Sequence, residues 1–246
     1  MRTGDAAGSS LDALRRRGPA PMFGDVGVGD TFLVVVEGKV TERLYVQGVC
    51  GCLALGAVHV RVVRPTKHDP VGLVEAAIQE RAGPQRRRVE GQASIREPQM
   101  YDHIWVVFDT DASGQAGRVK QAMELAGREN IHAAFSTPSI EFWLLLHFRY
   151  TTGLLMDSAA AERAVGDAWG QRYDKRADTF PKLWPALKPN IPAAVSRAQQ
   201  VREYHDKGST PFPANPSTQV DLLVRALDAS VQPPRRILRL AGKERP

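Results

Sequence analysis

Thr31-Phe32-Leu33-Val34-Val35-Val36-Glu37-Gly38 is the stretch that decides the fold. Before the acid, every residue is apolar or β-branched, with no polar position every second residue. A strand with one wet face alternates, whereas one covered on both sides, as in a parallel sheet between helices, reads as a continuous apolar run. The run stops at Glu37-Gly38, and Thr41 stands where a cap belongs, before a helix reaching about Cys52.

The same grammar recurs downstream. Ala57–Val63 reads as a second strand, Pro65-Thr66-Lys67-His68-Asp69-Pro70 as a loop and Val71–Arg81 as a helix. Residues 83–100, which include Arg86, Arg87 and Arg88, read as a polar exposed loop. Asp102–Phe108 is a third strand ending at Asp109-Thr110-Asp111, and Gly114 and Gly117 flank the start of a helix reaching about Arg128. Ile131–Phe135 is a fourth strand. It enters Ser136-Thr137-Pro138-Ser139, a helix-start signal ahead of Ile140–Phe148. Strands alternating with helices imply an α/β fold, a parallel sheet with right-handed crossovers and helices on both faces.

From about Tyr150 the strand signal ceases. Helical patterns at Ala159–Trp169, Ala193–Asp206 and Ser217–Ala229, broken by prolines, imply a small helical C-terminal region. Asn215-Pro216-Ser217-Thr218 reads as the capped start of the last of them. The expected organisation is a flexible segment over 1–29, an α/β domain over 30–150, a helical appendage over 151–230 and a basic tail over 231–246.

Bulk properties narrow the class. Hydrophobic residues make up 43% and charged residues 24% of the 246-residue chain, as in an ordinary soluble domain. No apolar run is long enough to span a bilayer or serve as a signal peptide, so a cytoplasmic protein with no membrane partner is expected. Cys50 and Cys52, separated by one residue, read as reduced thiols near a helix end. The net charge of +6 resides in the termini. Arg2, Arg15, Arg16 and Arg17 outweigh Asp5 and Asp12, while Arg235, Arg236, Arg239, Lys243 and Arg245 outweigh Glu244. The middle is balanced, so charge alone leaves open a nucleic-acid partner or merely solvated ends.

The acids carry more information. Ligands of open parallel sheets bind at the carboxyl ends of strands. Glu37 follows strand one; Asp109 and Asp111 follow strand three and, two apart, point the same way. Gly38 removes bulk beside Glu37. Such an oxygen set suits Mg²⁺, which keeps positions open for substrate phosphate. Glu42, near the start of the first helix, can face Glu37, and Glu141 stands at the same edge, so one or two ions are expected. Both also fit as acids favoured near helix N-termini. His147, closing the Ile140–Phe148 helix, is placed to cap its carbonyls and is not assigned as a base.

The motifs Glu37-Gly38-x-x-Thr41-Glu42, Tyr101-Asp102-x-x-Trp105-x-Val107-Phe108-Asp109-x-Asp111 and Ser136-x-Pro138-x-x-Glu141-x-Trp143-Leu144-Leu145-Leu146-His147-Phe148 together resemble the RloB-like family. Tyr173-Asp174-Lys175 and Asn215-Pro216-Ser217-Thr218 are later echoes, and the resemblance runs from about Phe32 to Leu227. It implies a Toprim-type nuclease domain related to those of topoisomerases, primases and OLD-type nucleases. By that analogy Glu37 is the acid of the first motif, Asp109 and Asp111 are the metal-binding pair, and Glu42 is the extra acid of the RloB and OLD branches. It also implies a toxic effector in anti-phage defence, with a possible defence-system partner protein.

The expected activity is Mg²⁺- or Mn²⁺-dependent hydrolysis of DNA or RNA, with Glu37, Asp109, Asp111, Glu42 and Lys175 as catalytic groups. The metal set is Glu37, Asp109, Asp111, Glu42 and Glu141; Arg86, Arg87 and Arg88 are candidate contacts to nucleic acid, or a solvated run. Alternatives are a non-catalytic binding or sensor module, and a transferase using the Asp-x-Asp pair. Oligomeric state and the choice of DNA over RNA are open at this level.

Overall fold

The computed structural model describes residues 26–57, 59–89 (backbone alone from 82 to 89), 101–110 and 116–238. Its first half alternates strand and helix: β1 (Phe32–Val36), α1 (Thr41–Leu53), β2 (Val60–Val63), α2 (Pro70–Val89), β3 (His103–Asp109), α3 (Ala116–Arg128), β4 (His132–Thr137) and α4 (Ile140–Phe148). Then come α5 (Ser158–Trp169), α6 (Phe180–Leu187), α7 (Ile191–Lys207), β5 (Ser217–Thr218) and α8 (Val220–Ala229), with short 3₁₀ turns at Lys188–Asn190 and Pro233–Arg235. The five strands form one sheet in the order β2-β1-β3-β4-β5. All pairs are parallel except the last, where β5 runs antiparallel to β4.

The unbroken apolar run of β1 is explained by its two buried faces. Phe32, Val34 and Val36 join one core with Trp105 and Val107 of β3, whereas Leu33 and Val35 join the other with Ile104, Val106 and Phe108. The second core is closed by Leu73, Val74 and Ala77 of α2 and by Val119, Ala122 and Ala126 of α3. The first is larger. It takes in α1, all of α4's apolar residues and residues from each of α5 to α8, so the C-terminal helices complete the core of the sheet. Helix α4, IEFWLLLHF, is apolar all round because it is enclosed on every side.

Several boundaries differ from the sequence reading. Strand β2 begins at Val60, not Ala57. Helix α2 continues past Arg81 to Val89, so Arg86, Arg87 and Arg88 lie on a helix instead of in a loop; their side chains lie outside the described residues. Gln79, Glu80, Arg81, Ala82, Gln85 and the three arginines are good helix formers, and the helix runs through Gly83 and Pro84 between them. Ser217-Thr218 is an edge strand, not a helix start, because Ser136↔Thr218 and Thr137↔Ser217 pair across the sheet. Helix α6 has no counterpart among the expected helices, since Pro181 and Pro185 punctuate its eight residues. The segments 1–25 and 239–246, which hold most of the expected flexible end and basic tail, lie outside the described residues. Among the described residues no helix is long and apolar enough to cross a membrane.

His147 is not the cap of α4. That role belongs to Arg197 of α7, which donates from Nη1 to the carbonyls of Leu146 at 2.7 Å and His147 at 3.1 Å. The His147 ring is buried, with Nδ1 3.0 Å from the Trp143 carbonyl and Nε2 3.1 Å from Tyr45 Oη. A carbonyl only accepts, so Nδ1 carries the hydrogen and Tyr45 donates to Nε2. Burial, with Arg197 nearby, pulls its pKa from the ordinary 6.5 to about 4, although bonds to the backbone act the other way. The unfolded chain therefore binds this proton first. Its contribution to stability is complete above about pH 6.5 and is lost as pH falls towards 4, by about 1.4 kcal/mol per unit. Urea unfolding from pH 7.5 to 4.5 should show a steeper acid loss for wild type than for His147→Gln; equal slopes would show that the ring is not held neutral.

Candidate metal centre

Sheet register brings the first two motifs together. Val36 pairs with Val107, so the next residue, Glu37, leaves β1 as β3 is about to end at Asp109. The Glu37 N–H still completes the ladder on the Val107 carbonyl at 3.0 Å. The Asp109 N–H then donates to Glu37 Oε2 at 2.9 Å, tying one acid to the chain that bears the other. From the β2 side, Arg64 Nε donates to the Glu37 carbonyl at 3.1 Å, a support without a sequence signal.

The third motif enters from β4. Asp109 pairs with Ser136, and the Thr110 N–H bonds the Ser136 carbonyl at 2.9 Å. Thr110 and Thr137 hydroxyls meet at 2.7 Å, pinning the chain beyond Asp109 to that motif. Ser139 occupies the N-cap position of α4, but its hydroxyl is turned to Glu141 Oε2 at 2.6 Å. The first helical N–H, at Ile140, instead donates to Asp109 Oδ1 at 2.8 Å. A helix N-terminus thus faces the acid, a placement favourable to negative charge. The Asn215–Thr218 echo has a supporting role here. Thr218 Oγ1 meets Ser136 Oγ at 2.8 Å, and Arg202 donates to the Thr218 carbonyl at 2.6 Å.

Glu42 and Gly38 explain each other. A Cβ on Gly38 would lie 1.9 Å from Glu42 Oε2, so the buried carboxylate rests directly against the glycine backbone. Thr41 does not cap α1; its N-cap is Val40, and Thr41 Oγ1 is 3.4 Å from Tyr173 Oη. Tyr173, in the loop after α5, donates to Glu141 Oε1 at 3.0 Å. Two residues on, Lys175 Nζ lies 3.1 Å from Glu141 Oε2 and 3.4 Å from Glu162 Oε1. Asp174 between them turns away to accept from Thr179 Oγ1 and the Arg176 N–H, so the Tyr-Asp-Lys echo presents its first and third residues to the acids.

Electrostatics show that these groups form one cluster. Burial drives the Asp109 carboxyl well above the usual range, reinforced by Glu42, Glu141 and Glu37 and opposed by Lys175. Glu42 is raised by burial and by Glu141, against bonds from its own backbone and that of Gly38 and the charge of Lys175. Burial works against the Lys175 ammonium, but Glu141 and Asp109 outweigh it and hold its pKa above the ordinary value.

The donor set is all oxygen and surplus negative, the chemistry that a hard cation satisfies. Among the described residues, no three His, Cys, Asp or Glu side chains converge as they stand to hold a metal ion. Asp111 lies outside the described residues. Glu37, Asp109, Glu42, Glu141 and Lys175 are brought together, whereas nothing is described of the side chains of Arg86, Arg87 and Arg88. Tyr173, Ser139, Thr41, Glu162 and Arg64 are neighbours that the sequence reading did not place at the centre: Thr41 and Ser139 read only as helix-start residues, and Tyr173 only as part of an echo.

A family model described as RloB-like protein matches residues 32–227. The chain belongs to the RloB-like family. Every residue of the cluster, from Glu37 to Lys175, falls inside that match, as does the Ser217-Thr218 strand beside it. No curated protein and no solved structure matches the chain.

Tyr173→Phe removes a donor to a fully buried carboxylate while keeping the ring's shape. It should cost about 1–3 kcal/mol in urea unfolding. A loss below about 0.5 kcal/mol, within the range of ordinary surface changes, would show that the hydroxyl does not hold Glu141.

Proposed function

We propose that this RloB-like protein is a Mg²⁺- or Mn²⁺-dependent nuclease with a Toprim-type catalytic centre. The observation that carries the proposal is the gathering of Glu37, Asp109, Glu42 and Glu141, from two strand ends and two helix starts, with Lys175 beside Glu141, at the carboxyl edge of a parallel sheet. Glu37 and Asp109, with Asp111, are the residues proposed to hold the ion. Bound there, the ion supplies charge stabilisation to a scissile phosphate and its leaving oxygen.

The chain's own groups do the rest. Asp109 N–H fixes Glu37 Oε2, and Ile140 N–H fixes Asp109 Oδ1, so both acids keep their orientation without substrate. Lys175 stays charged next to Asp109 and is partly exposed, which suits it to an anionic phosphate oxygen. Glu42, held against Gly38, adds to the negative field at Asp109. The substrate class is nucleic acid, DNA or RNA. A role as a toxic effector of anti-phage defence, with a partner protein that restrains or triggers it, follows from the family resemblance.

A second reading is a non-catalytic binding or sensor module. In it the same acids hold an ion that is structural, and no bond is cut.

Purified wild type should cut at least one of plasmid, single-stranded DNA and total tRNA in Mn²⁺. Asp109→Asn and Glu37→Gln should lose activity on the order of a hundredfold or more while still folding. All three substrates left intact by wild type would favour the module. Gly38→Ala is a finer test. The new methyl displaces the flexible Glu42 side chain, so unfolding should shift by only about 1 kcal/mol while cleavage falls. Unaltered cleavage would remove Glu42 from the centre.

A further inference from the structure

Glu141 is held by three donors of the protein itself, and its carboxylate is closed to solvent. Its carboxylate is 0% exposed and accepts from Tyr173 Oη on Oε1, and from Ser139 Oγ and Lys175 Nζ on Oε2. Coordination of an ion through Oε2 would strip away one of its two donors, leaving the buried Ser139 hydroxyl unpartnered or the Lys175 ammonium with Glu162 alone, and Oε1 belongs to a side chain with no exposed surface. No such obstacle applies to Lys175. It is anchored at 3.1 Å to Glu141 and at 3.4 Å to Glu162 on α5, its side chain is 40% exposed, and Asp109 is among the acids that hold its charge. An ammonium therefore lies against the most buried acid of the cluster, within the field of Asp109, on a side chain partly open to solvent.

We propose that Lys175 takes the place of a second divalent ion, and that Glu141 is the residue that positions it instead of a metal ligand. The centre then binds one ion, and the second positive charge facing the phosphate is the Lys175 ammonium. This rests on the metal-dependent reading above. In two-ion centres the cations stand about 3.5–4 Å apart and share bridging carboxylates. Here the carboxylate on that side bonds a lysine and two hydroxyls, and a fixed charge on the protein supplies what a second ion would. Glu162 is the outer anchor: it keeps the Lys175 stem from swinging into solvent, and its own charge leaves Nζ shared between two acids.

Manganese counting tests the assignment without any appeal to activity. Equilibrium dialysis or the spin-resonance signal of free Mn²⁺, applied to the full chain, should give one ion per wild-type chain. Glu141→Gln, which keeps the shape of the side chain but removes one negative charge from the cluster, should weaken Mn²⁺ binding by no more than about threefold. Lys175→Met removes a positive charge from among the acids. It should admit a second ion, or bind the first at least about threefold more tightly. Near-ultraviolet circular dichroism confirms that each variant is folded. Two ions in wild type would overturn the assignment and leave the nuclease reading intact, as would a loss of Mn²⁺ on Glu141→Gln of more than about tenfold. Unchanged binding in Lys175→Met would also overturn it. No Mn²⁺ on wild type would sink the metal reading and this assignment together.

Discussion

Like charge crowded at one end of a sheet is the constraint on which the rest of the structure depends. Glu37, Asp109, Glu42 and Glu141 are brought within one another's field by strands β1 and β3, helix α1 and helix α4. Carboxylates that are both buried and close together repel and lose hydration. The surroundings supply offsets of three kinds. Backbone N–H groups of Asp109 and Ile140 bond two of the acids, hydroxyls of Ser139 and Tyr173 bond a third, and the Lys175 ammonium brings the one positive charge that opposes the rise at Asp109. The N-terminus of the apolar helix α4 is spent on Asp109 and not on its own cap, so even the helix start serves the acids.

These offsets come from stretches well apart in the chain, from Asp109 to Lys175. Tyr173 and Lys175 lie beyond the strand–helix alternation, in the loop after α5, yet they complete the environment of an acid at position 141. Packing makes this possible. Helices α5, α6, α7 and α8 share a core with one face of the sheet, so the loop is carried on a rigid body against α4. Strand β5, only Ser217-Thr218, repeats the logic from the other side by bonding the strand that leads into Ser139 and Glu141.

The sheet was legible because its signal is local and strong. The apolar runs at Phe32–Val36 and Ile104–Phe108 can be satisfied only by two covered faces, and α4 was read to its exact ends, Ile140–Phe148. The strand-end acids were legible for the same reason, since sheet topology dictates where strand ends meet. What sequence did not disclose depends on distance along the chain. Ser217-Thr218 is a strand only because Ser136-Thr137 lies beside it, and nothing within two residues encodes that pairing. Helix α2 runs to Val89 through Gly83-Pro84, a pair that locally signals a loop. Tyr173 was visible as part of an echo, but its bond to Glu141 spans 32 positions and no local pattern reveals it.

The direction in which each carboxyl is pushed separates structural acids from those of the centre. Asp102 is lowered, first by its bond from the Thr31 backbone, and Asp174 first by the Thr179 hydroxyl; each is a carboxylate stabilised as an anion by the fold. Asp228 is raised by burial, with two backbone N–H groups and Arg236 pulling it back and no acid among its causes. Asp109 and Glu42 differ from all three, because burial is joined by neighbouring acids and the available donors do not bring either back to its ordinary value. A fold that needed carboxylates only as caps or hydrogen-bond acceptors has no reason to place them against one another, since each is easier to satisfy alone. Clustered acids that remain under-compensated by the chain are the pattern expected where a cation from outside completes the balance. Lys175 meets part of that deficit, and what is left over sits at Asp109 and Glu42, on the motifs that begin and centre the sheet.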